Sequence, residues 1–531
     1  MTTTWTIAVD WDRNGDYTGT YDNVTSRVIS ANWFLGGRTP YQDVADESTL
    51  DLTLDNSDKR YSPEYATSPL FGKVRPQRPV RIQSDDGSGV NQPRTHWVGW
   101  VDKIEPGVGK FGKRTIRITA IGAMQFLKAA ESRLPLQENK RTDQIMADLI
   151  KEVVVPPALN KAWVLGRIGN SEVGLTTYLA NTSAYSTLDA GALTLGMAAD
   201  NWVVQGGASD EEKNSFDVYR AIGDITAAEH GKFLFDREGK ALFWNRHHLL
   251  QGAAVDATFN DVMTDMQYSY ASIEQTKNEV IVICHPRKIG TVTTDILWQL
   301  DNSVIRVNPG ETRTVYIKYE DEGKNRVGAK DVTVTDLEYA AGSATVTVDA
   351  KANGAELKLV NTGTEAAIVK KCIIRGRKIL DSGEMEAKAV DAASIIDFGR
   401  RTLRINLPSI DSLEQAQYIA DFERRRRGQP RGEVSAITVL SHGKKGSDAG
   451  HPTNSKHTQQ LALTLGKLIS VQETQSGHSK SYTIIGEAHE LTMSATLWKT
   501  TWYLEPAPES YPWKLGVVGR SNLGVETRLT Y

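Results

Sequence analysis

Hydrophobic and polar residues alternate along much of the chain with a period of two residues, which is the pattern of a half-buried β-strand. Every second position is apolar in residues 5–11 and again in residues 50–54. Similar runs predict strands at 79–83, 97–103 and 114–120. Proline and glycine between these runs indicate turns. The first part of the chain is therefore predicted to be a small barrel or sandwich of short antiparallel strands.

Elsewhere the period changes to the helical value of about 3.6 residues. Each helical stretch begins at a residue that can cap a helix and ends at proline or glycine. The stretches run from Thr142 to Pro156, from Ser215 to Gly231 (the C′ residue), and from Asp411 or Ser412 to Gly428. Two apolar runs around Asp236–Gly239 predict a hairpin. Residues 155–214 show no clear period and are predicted to be loops and irregular β-structure.

Alternating strands at regular spacing, separated by turn residues, fill residues 291–376. This pattern is typical of an immunoglobulin-like sandwich inserted into a surrounding domain, although the buried Cys pair of antibody domains is absent. Later strands are predicted at 434–440, 461–464, 468–473, 481–488 and 492–504. The predicted fold class is therefore mainly β with a few helices (α+β).

Composition and charge narrow the classes of function. The 531 residues suggest several domains, and the hydrophobic content of 40% is that of an ordinary globular chain. The formal net charge of -3 gives no basic footprint for nucleic acid. We find no apolar run of membrane-spanning length and no secretory signal at the start. Cys284 and Cys372 lie in β-like apolar runs and are predicted to be buried and reduced.

The segment VDWDRNGDYTG, residues 9–19, is a candidate ion site. Its candidate ligands are Asp10, Asp12, Asn14 and Asp16. The first three match the opening ligand positions of an EF-hand calcium loop, but the twelfth position is Tyr21 instead of Glu, and a strand precedes the loop where that motif needs a helix. Asn-Gly between alternating hydrophobic residues is also a strong hairpin signal. The pattern favours a hairpin that turns at Asn14–Gly15, with Asp10, Asp12 and Asp16 mostly turn-stabilising and solvated, and leaves calcium as the weaker alternative.

The other candidates for chemistry are isolated. The arginine run 424–427 can contact phosphate or an acidic partner, but it is more typical of a solvated helix end. His247 and His248 are adjacent, and His451 and His457 lie in a polar loop without a partner at ligand spacing, so zinc is not predicted. The sequence contains no nucleophile elbow and no P-loop. We predict no enzyme activity and no cofactor.

Several segments resemble the hub of long-tailed bacteriophage tail-tip, or baseplate hub, proteins. The N-terminal ones are VDWDRNGDYTGTYDNVTSRV, LTLDNSDKRYSPEYATSPLFGKVRPQRPVRI, WVGWVDKIEP and RTIRITAIGAMQFL. Their matching residues are Asp10, Gly15, Asp16, Asp22, Val24, Thr25, Leu54, Asn56, Arg60, Tyr61, Pro63, Pro69, Arg78, Val80 and Gly99. Downstream, IIDFGRRTLRINLPSIDSLEQAQYIADFE and LGKLISVQETQSGHSKSYTIIGEAHELTMSATLWKTTWYLEPA are similar to the second hub barrel of that family. The resemblance covers most of 1–130 and 377–506, and loosely 215–286.

This resemblance implies a homotrimer with two related barrels in each chain, so that six barrels form a pseudo-sixfold ring on the hexameric tail tube. It implies contacts with the tail tube protein, the distal tail protein, the tape measure protein, and receptor-binding, fibre or spike proteins. Such a protein is made in the host bacterial cytoplasm and resides in the virion at the tail tip. It binds no specific nucleic acid sequence. Gly122 departs from the family, whose members often carry an acidic residue there, and no murein-cleaving domain is predicted after residue 506.

The patterns and the resemblance together divide the chain into domains. We predict a first hub barrel at 1–130, a mixed α/β connecting domain at 131–258, a second hub barrel at 259–290 with 377–506, the inserted sandwich at 291–376 and a C-terminal tail at 507–531.

Two other functions stay open at this point. One is a carbohydrate-binding tail adhesin that acts through the inserted sandwich and would need an exposed aromatic platform. The aromatic residues available there, which mostly lie at strand-alternating positions, are Trp298, Tyr316, Tyr319 and Tyr339. The other is a tail enzyme that cleaves glycan or peptide.

Overall fold

A computed structural model describes most of the chain. The described residues are 3–89, 92–107, 114–151, 153–155, 167–168, 171–172, 186–202, 217–249, 254–260, 263–270, 275–300, 303–441, 456–492, 497–507, 511–512 and 527–528. They form a mainly β structure with a few helices, as the sequence predicts. The α-helices of these residues are α1 (Met124–Ala129), α2 (Thr142–Lys151), α3 (Val218–Glu229), α4 (Ala392–Phe398), α5 (Leu413–Arg427) and α6 (Lys456–Ala462).

The strands are numbered in chain order. They are β1 (Thr4–Val9), β2 (Val28–Gly36), β3 (Thr49–Asp55), β4 (Pro79–Asp85), β5 (Arg94–Pro106), β6 (Thr115–Ile121), β7 (Gln137–Arg141), β8 (Val154–Val155), β9 (Arg167–Ile168), β10 (Ser171–Glu172), β11 (Ser186–Leu188), β12 (Thr194–Ala198), β13 (Lys232–Phe235), β14 (Ala241–Trp244), β15 (Ala257–Asn260), β16 (Asp265–Tyr270), β17 (Glu279–Cys284), β18 (Arg287–Ile289), β19 (Asp295–Gln299), β20 (Ile305–Val307), β21 (Thr312–Lys318), β22 (Ala329–Ala341), β23 (Thr345–Ala350), β24 (Gly354–Val360), β25 (Ala367–Asp381), β26 (Met385–Val390), β27 (Thr402–Leu407), β28 (Gly432–Ser441), β29 (Leu468–Glu473), β30 (His478–Thr492), β31 (Leu497–Pro506), β32 (Tyr511–Pro512) and β33 (Thr527–Arg528).

One continuous sheet of 12 strands brings the two ends of the chain together. Its first half consists of β1 to β6, and its second half of β15, β16 and β28 to β31. If the strands of each half are numbered in chain order, both halves have the spatial order 1-4-5-6-3-2. The topology therefore confirms the prediction of two related β-structures. We call the first half barrel 1 and the second half barrel 2.

The likeness of the two halves extends to single residues. In β5, Val101 exchanges backbone hydrogen bonds of 2.6 and 2.8 Å with Gln77–Arg78. In β30, Ile484 makes the corresponding bonds, of 2.8 and 3.0 Å, with Gly466–Lys467. A β-bulge follows at the same place in both strands. One difference is that β15 runs parallel to β29, whereas β1 runs antiparallel to β4.

Barrel 1 closes on itself. Strand β1 pairs with β4 along one edge, and its other edge bonds to the segment that leads into β2. There the Val9 N–H donates to the carbonyl of Asp22, at 2.9 Å. The Val24 N–H likewise donates to the carbonyl of Ile7, at 2.9 Å. The inward apolar side chains of both barrels belong to one hydrophobic cluster, so alternate residues of the predicted strands are buried as expected.

A second hydrophobic core lies beside the barrels. It contains the buried faces of α2, α3 and α5 together with one face of the three-stranded sheet β26-β17-β27. The predicted boundaries assigned these three strands and α5 to the second barrel. In the structure β17 is buried almost throughout, because α5 packs over it and β26 and β27 flank it. The apolar run of β17 therefore belongs to a layer of helices and strands outside the barrel sheet.

The inserted residues form the predicted sandwich of two sheets. One sheet gathers β18, β19, β20 and β22 along β25, and the other has the order β21-β24-β23. Side chains such as Tyr319, Leu357 and Ile374 fill the space between them. The chain enters through β18 and leaves through β25, and these strands pair antiparallel just beyond the paired β17 and β26. The sandwich is thus an extension of two neighbouring strands.

Helix α3 differs from its prediction at both ends. Asp217 caps it, because its carboxylate accepts the Arg220 N–H at 2.7 Å. The predicted cap, Ser215, lies outside the described residues. At the other end His230, with a φ of 61°, takes the left-handed conformation that was predicted for Gly231. The predicted hairpin around Asp236–Gly239 is confirmed by the antiparallel pair β13 and β14.

The other helices give mixed results. Helix α2 begins at Thr142, which was predicted to cap it and whose hydroxyl donates to Glu229 at 2.7 Å. Ser412 caps α5 by accepting the N–H of Gln415, as predicted. Helix α6 ends where a strand was predicted, because His457, Gln460 and Leu461 bury one helical face. The short helices α1 and α4 were not predicted. In the part of the chain that the structure describes, no helix is long and apolar enough to cross a membrane.

Candidate assembly interface

Residues 10–22 form a loop that follows β1 at one end of barrel 1. The predicted hairpin is wrong, because β1 pairs with β4 and the loop rejoins β1 only at Asp22. An Asn-Gly hairpin turn needs positive φ at both residues. Gly15 has a φ of 87° and Arg13 one of 54°, whereas Asn14 is not in the left-handed region. The alternation of β1 is thus satisfied by a partner distant in sequence.

Side chains of this loop hold its own backbone. The Asp10 carboxylate is fully buried and accepts the N–H groups of Asn14–Gly15 at 3.2 and 2.9 Å. Asp16 accepts the N–H two residues ahead at 3.1 Å. Asp12 is exposed and pairs with Lys73 at 2.6 Å. The expectation that these aspartates stabilise the loop is therefore confirmed for Asp10 and Asp16. The expectation that they are solvated holds for Asp12 and Asp16 and is wrong for Asp10.

Among the described residues no group of three or more His, Cys, Asp or Glu side chains is placed to hold a metal ion. Calcium at the loop stays a prediction, and one experiment separates calcium binding from the hydrogen bonds that Asp10 accepts from the loop backbone.

We expect Asp10→Ala to lower the free energy of unfolding by about 1–3 kcal/mol, because two loop N–H groups lose their acceptor. Added calcium is expected to leave the melting temperature of the wild type unchanged in scanning calorimetry.

The control for Asp10→Ala is Asp16→Ala at the exposed end of the same loop. Its effect is expected to stay within about 0.5 kcal/mol. A calcium-dependent rise in melting temperature that disappears in Asp10→Ala would establish the ion site, since a ligand of the native state stabilises it.

Strands β2 and β30 join the two barrels, and we call this junction the seam. Residues 30–36 pair antiparallel with residues 486–492. Strand β30 has 15 residues, and β29 pairs with its beginning along the same edge, so β2 occupies the part that β29 leaves free. The backbones approach closely at Gly486, where an added Cβ would lie 2.0 Å from the carbonyl oxygen of Gly37. Side chains larger than glycine would therefore prevent this pairing.

Aromatic and imidazole rings fill the interior of the seam. They belong to Trp5, Trp33, His96, His457, His489 and Trp498, and all are buried. Trp33 of β2 stacks on His489 of β30 with ring centres 4.9 Å apart. Trp498 lies 4.9 Å from Trp5 and 5.7 Å from His489. Burial lowers the pKa of His96 well below its usual range and also lowers that of His489, so both rings are neutral at pH 7.

The hairpin β13–β14 reaches the seam through its turn. Arg237 in this turn donates two hydrogen bonds of 2.6 Å to the Glu487 carboxylate of β30, and a third of 2.7 Å to the carbonyl of Leu463. Glu487 is fully buried. Although burial raises its pKa, the Arg237 guanidinium lowers the pKa of Glu487 to about 2. The pair ties the connecting region to the strand on which both barrels meet.

The end of α5 docks on a loop of barrel 1. Tyr41, between β2 and β3, has the Arg426 guanidinium 3.9 Å and that of Arg427 4.4 Å from its ring centre. Arg431 donates to its hydroxyl at 2.6 Å. Arg426 also donates to Glu505 of β31 at 2.5 Å. The interpretation of the arginine run as a solvated helix end is therefore wrong for Arg426 and Arg427.

The histidines that the sequence offered as candidate ligands contact other side chains of the protein. His248 lies 2.7 Å from the Asp189 carboxylate and stacks on Trp244 with ring centres 4.7 Å apart. His457 lies on α6 and takes part in the seam. His451 lies outside the described residues. These histidines thus serve hydrogen bonding and ring packing.

The aromatic residues of the sandwich do not form an open platform among the described residues. Tyr319 is fully buried, and Trp298 and Tyr339 pack against the sandwich core. Tyr316 is exposed, but the Arg133 guanidinium lies 3.9 Å from its ring centre and occupies one face of that ring. No contact of these residues favours glycan binding.

Each barrel has a stretch of strand edge that pairs with no other strand among the described residues. Strand β5 pairs with β4 as far as Trp100, and past Val101 this edge meets no strand among the described residues. Strand β16 is the last strand of the sheet, and its outer edge has no strand partner in the described ranges. Tyr270 at the end of β16 is 72% exposed, whereas Leu35 in the corresponding strand β2 is 1% exposed. The free edges of β5 and β16 thus correspond in topology to the edges of β30 and β2 that pair at the seam.

Sequence reasoning missed the seam. Trp33 and Trp498 occupy buried positions of strands, a pattern that also describes an ordinary barrel interior. Arg237 follows the start of a predicted turn, where charged side chains are usually solvated. The seam follows from the strand order that the two halves share. That order depends on pairing between distant segments, so local sequence patterns do not reveal it.

Comparison with known proteins gives similarity at the level of fold. No family model matches the chain, and no curated protein matches it either. Among solved structures, the chain is similar to a tail protein from Neisseria meningitidis MC58, with 9% identity, coverage of 95% of this chain and 96% of that one, and a TM-score of 0.48. It is also similar to the 43 kDa tail protein of prophage MuSo2 from Shewanella oneidensis, with 11% identity, coverage of 94% and 97%, and a TM-score of 0.45.

A third similar structure is an E. coli component of the type VI secretion system, described as structurally similar to the T4 bacteriophage tail proteins gp27 and gp5. The identity is 10%, the coverage 96% of this chain and 80% of that one, and the TM-score 0.36. The structural neighbours are thus phage tail proteins and a component of the type VI secretion system. Since these three TM-scores are below 0.5, the function has to be argued from the residues of this chain.

Proposed function

We propose that this chain is a structural, non-enzymatic component of a phage virion, the trimeric hub at the distal end of the tail. It docks on the hexameric tail tube and links the tube to receptor-binding or spike proteins. The observation that carries this proposal is the pair of open edges at β5 and β16, which repeats the pair that is joined at the seam. A contact between two different surfaces closes into a ring when its rotation divides a full turn.

The proposed ring alternates the two barrels. Within one chain, β2 of barrel 1 joins β30 of barrel 2. Between chains, β16 of barrel 2 joins β5 of barrel 1 in the next copy. Because strands 2 and 5 are used both times, each barrel bears the same relation to its neighbour, and three chains give six similar positions. A ring of this kind fits a hexameric tube even though the chains number three.

The register of the second seam follows from the first. Matching the bulges of β5 and β30 places Ile104 at the position of Glu487. The paired residues can then be followed from β5 to β2 in barrel 1 and from β30 to β16 in barrel 2. This comparison places Tyr270 of β16 at the position of Leu35 of β2. Leu35 pairs with Glu487 in the seam. We therefore expect Tyr270 of one copy to lie opposite Ile104 of the next.

The trimer is tested by Tyr270→Asp. The carboxylate would be buried without a partner at the second seam, so we expect this variant to be a monomer. Light scattering should give three times the 58.6 kDa chain mass for the wild type and one chain mass for the variant. The control is Ile396→Asp on α4, where the side chain is 83% exposed and lies on neither edge, and it should stay a trimer. A wild-type monomer at every concentration would refute the proposal.

The register has a test of its own in the double variant Ile104→Cys/Tyr270→Cys. Paired Cβ atoms of antiparallel strands lie about 4.5–5.5 Å apart, close to the range of a disulfide. Oxidation should therefore give covalent dimers and trimers on a denaturing gel. Each single-cysteine variant is the control and should stay uncrosslinked, since the native Cys284 and Cys372 are buried. Equal crosslinking of a single variant would contradict this register.

A further inference from the structure

Both barrels point the same way. Within a barrel, strands 2 and 5 run in opposite directions, because three successive antiparallel pairings separate them. The seam joins strand 2 of one barrel antiparallel to strand 5 of the other, which aligns the two barrels. The connections β1–β2, β3–β4 and β28–β29 therefore lie on one side of the pair, which we call the loop side. The connecting region follows β6 and the sandwich region follows β16, both at the opposite side.

The connection β3–β4 is a rigid series of turns on the loop side, residues 56–78, which we call the turn ladder. Successive N–H groups donate to the carbonyl three residues earlier at 2.9 to 3.1 Å. The donors are Lys59, Ser62, Tyr65, Ser68 and Phe71. Tyr61, Leu70 and Val74 anchor the ladder in the barrel core. A surface held in this way loses little conformational entropy when it binds.

The turn ladder exposes large apolar side chains although its backbone is fixed. Phe71 is 53% exposed and Tyr65 is 37% exposed. The ladder carries five basic and two acidic residues. Lys73 joins it to Asp12 of the β1–β2 connection at 2.6 Å. Exposed apolar side chains among basic residues fit a partner with an apolar surface and acidic neighbours.

We propose that the turn ladder is the surface by which the hub binds the end of the tail tube, with Phe71 and Tyr65 in apolar contact and the basic residues facing acidic ones. This inference rests on the function proposed above. The loop side carries corresponding connections from both barrels, and α6 lies in the one from barrel 2. The connecting region and the sandwich occur once in each chain and thus have threefold symmetry in the ring. The loop side of the ring therefore presents six connections between third and fourth strands, three turn ladders from barrel 1 and three counterparts from barrel 2, to the six tube subunits.

The test uses the full-length ring and tail tubes of the same virus stripped of their tips. We expect Phe71→Asp to weaken binding in co-sedimentation by about tenfold or more, because it removes an apolar contact and adds a charge that repels acidic partners. Binding of the wild type should also weaken as salt is raised. The control is Val292→Asp on the sandwich, where the side chain is 52% exposed, and it should bind as the wild type does.

The outcomes separate the two proposals. An intact ring that has lost tube binding in Phe71→Asp, but not in Val292→Asp, supports the turn ladder as the docking surface. An intact ring whose tube binding is unchanged in Phe71→Asp overturns the proposed docking surface but does not affect the proposed hub function. An intact wild-type ring that does not bind stripped tubes also overturns the proposed docking surface. A wild-type chain that forms no ring overturns the proposed function, and the docking surface with it.

Discussion

Replacing Arg237 by methionine is expected to lower the free energy of unfolding by about 3–5 kcal/mol, because it leaves the buried Glu487 carboxylate without its cation. The pair is bidentate, with both hydrogen bonds at 2.6 Å, and Glu487 has no exposed surface. An exposed ion pair would contribute about 1 kcal/mol or less. Urea unfolding followed by tryptophan fluorescence measures the change, since the rings of the seam lie beside this pair.

The control for Arg237→Met is the double variant Arg237→Met/Glu487→Met. Replacing both partners by apolar side chains of similar length removes the unpaired charge, so much of the lost stability should return. The pKa of Glu487 is lowered from 4.5 to about 2, so the stabilisation by this pair is present above about pH 4.5 and is lost as the pH falls toward 2. A loss below about 1 kcal/mol in the single variant would contradict the role of the pair.

The second large effect is expected for Trp498→Ala, which should lower the free energy of unfolding by about 3–5 kcal/mol. Trp498 is fully buried and contacts rings from both barrels, including Trp5 and His489. Its removal leaves a cavity where barrel 1 meets barrel 2. Hydrogen exchange should therefore show faster exchange of the β2 amides, in addition to the loss measured by urea unfolding.

Trp298→Ala is the matched control for Trp498→Ala. Trp298 is partly buried in the sandwich, away from the seam, so its loss should cost less and leave the β2 amides unchanged. If Trp498→Ala lowered stability without altering exchange in β2, the cluster would be ordinary barrel core and would not be the joint between the barrels.

Local patterns predicted the elements well because their causes are local. The strands of barrel 1 follow from alternation that one buried face requires, and Leu50, Leu52 and Leu54 are all buried as predicted. The start of α5 follows from the Ser412 cap. The inserted sandwich follows from regular strand spacing. None of these predictions requires knowing which distant segment of the chain pairs with the element.

The failures share a cause, which is pairing across long sequence separations. The alternation of β1 suggested a hairpin at Asn14–Gly15, but the partner is β4. Strand β17 has the composition of a barrel strand and lies instead under α5. Arg426 and Arg427 resemble a solvated helix end and instead hold Tyr41 of barrel 1. In each case the residues fit two local structures equally well, and tertiary contacts decide between them.

The ring itself is tested most directly by electron microscopy of the purified full-length chain. The proposed function predicts particles in which six similar densities surround a central opening, with threefold symmetry because neighbouring densities are barrel 1 and barrel 2 in turn. Single particles of one chain, or a ring in which each chain contributes one density, would contradict it.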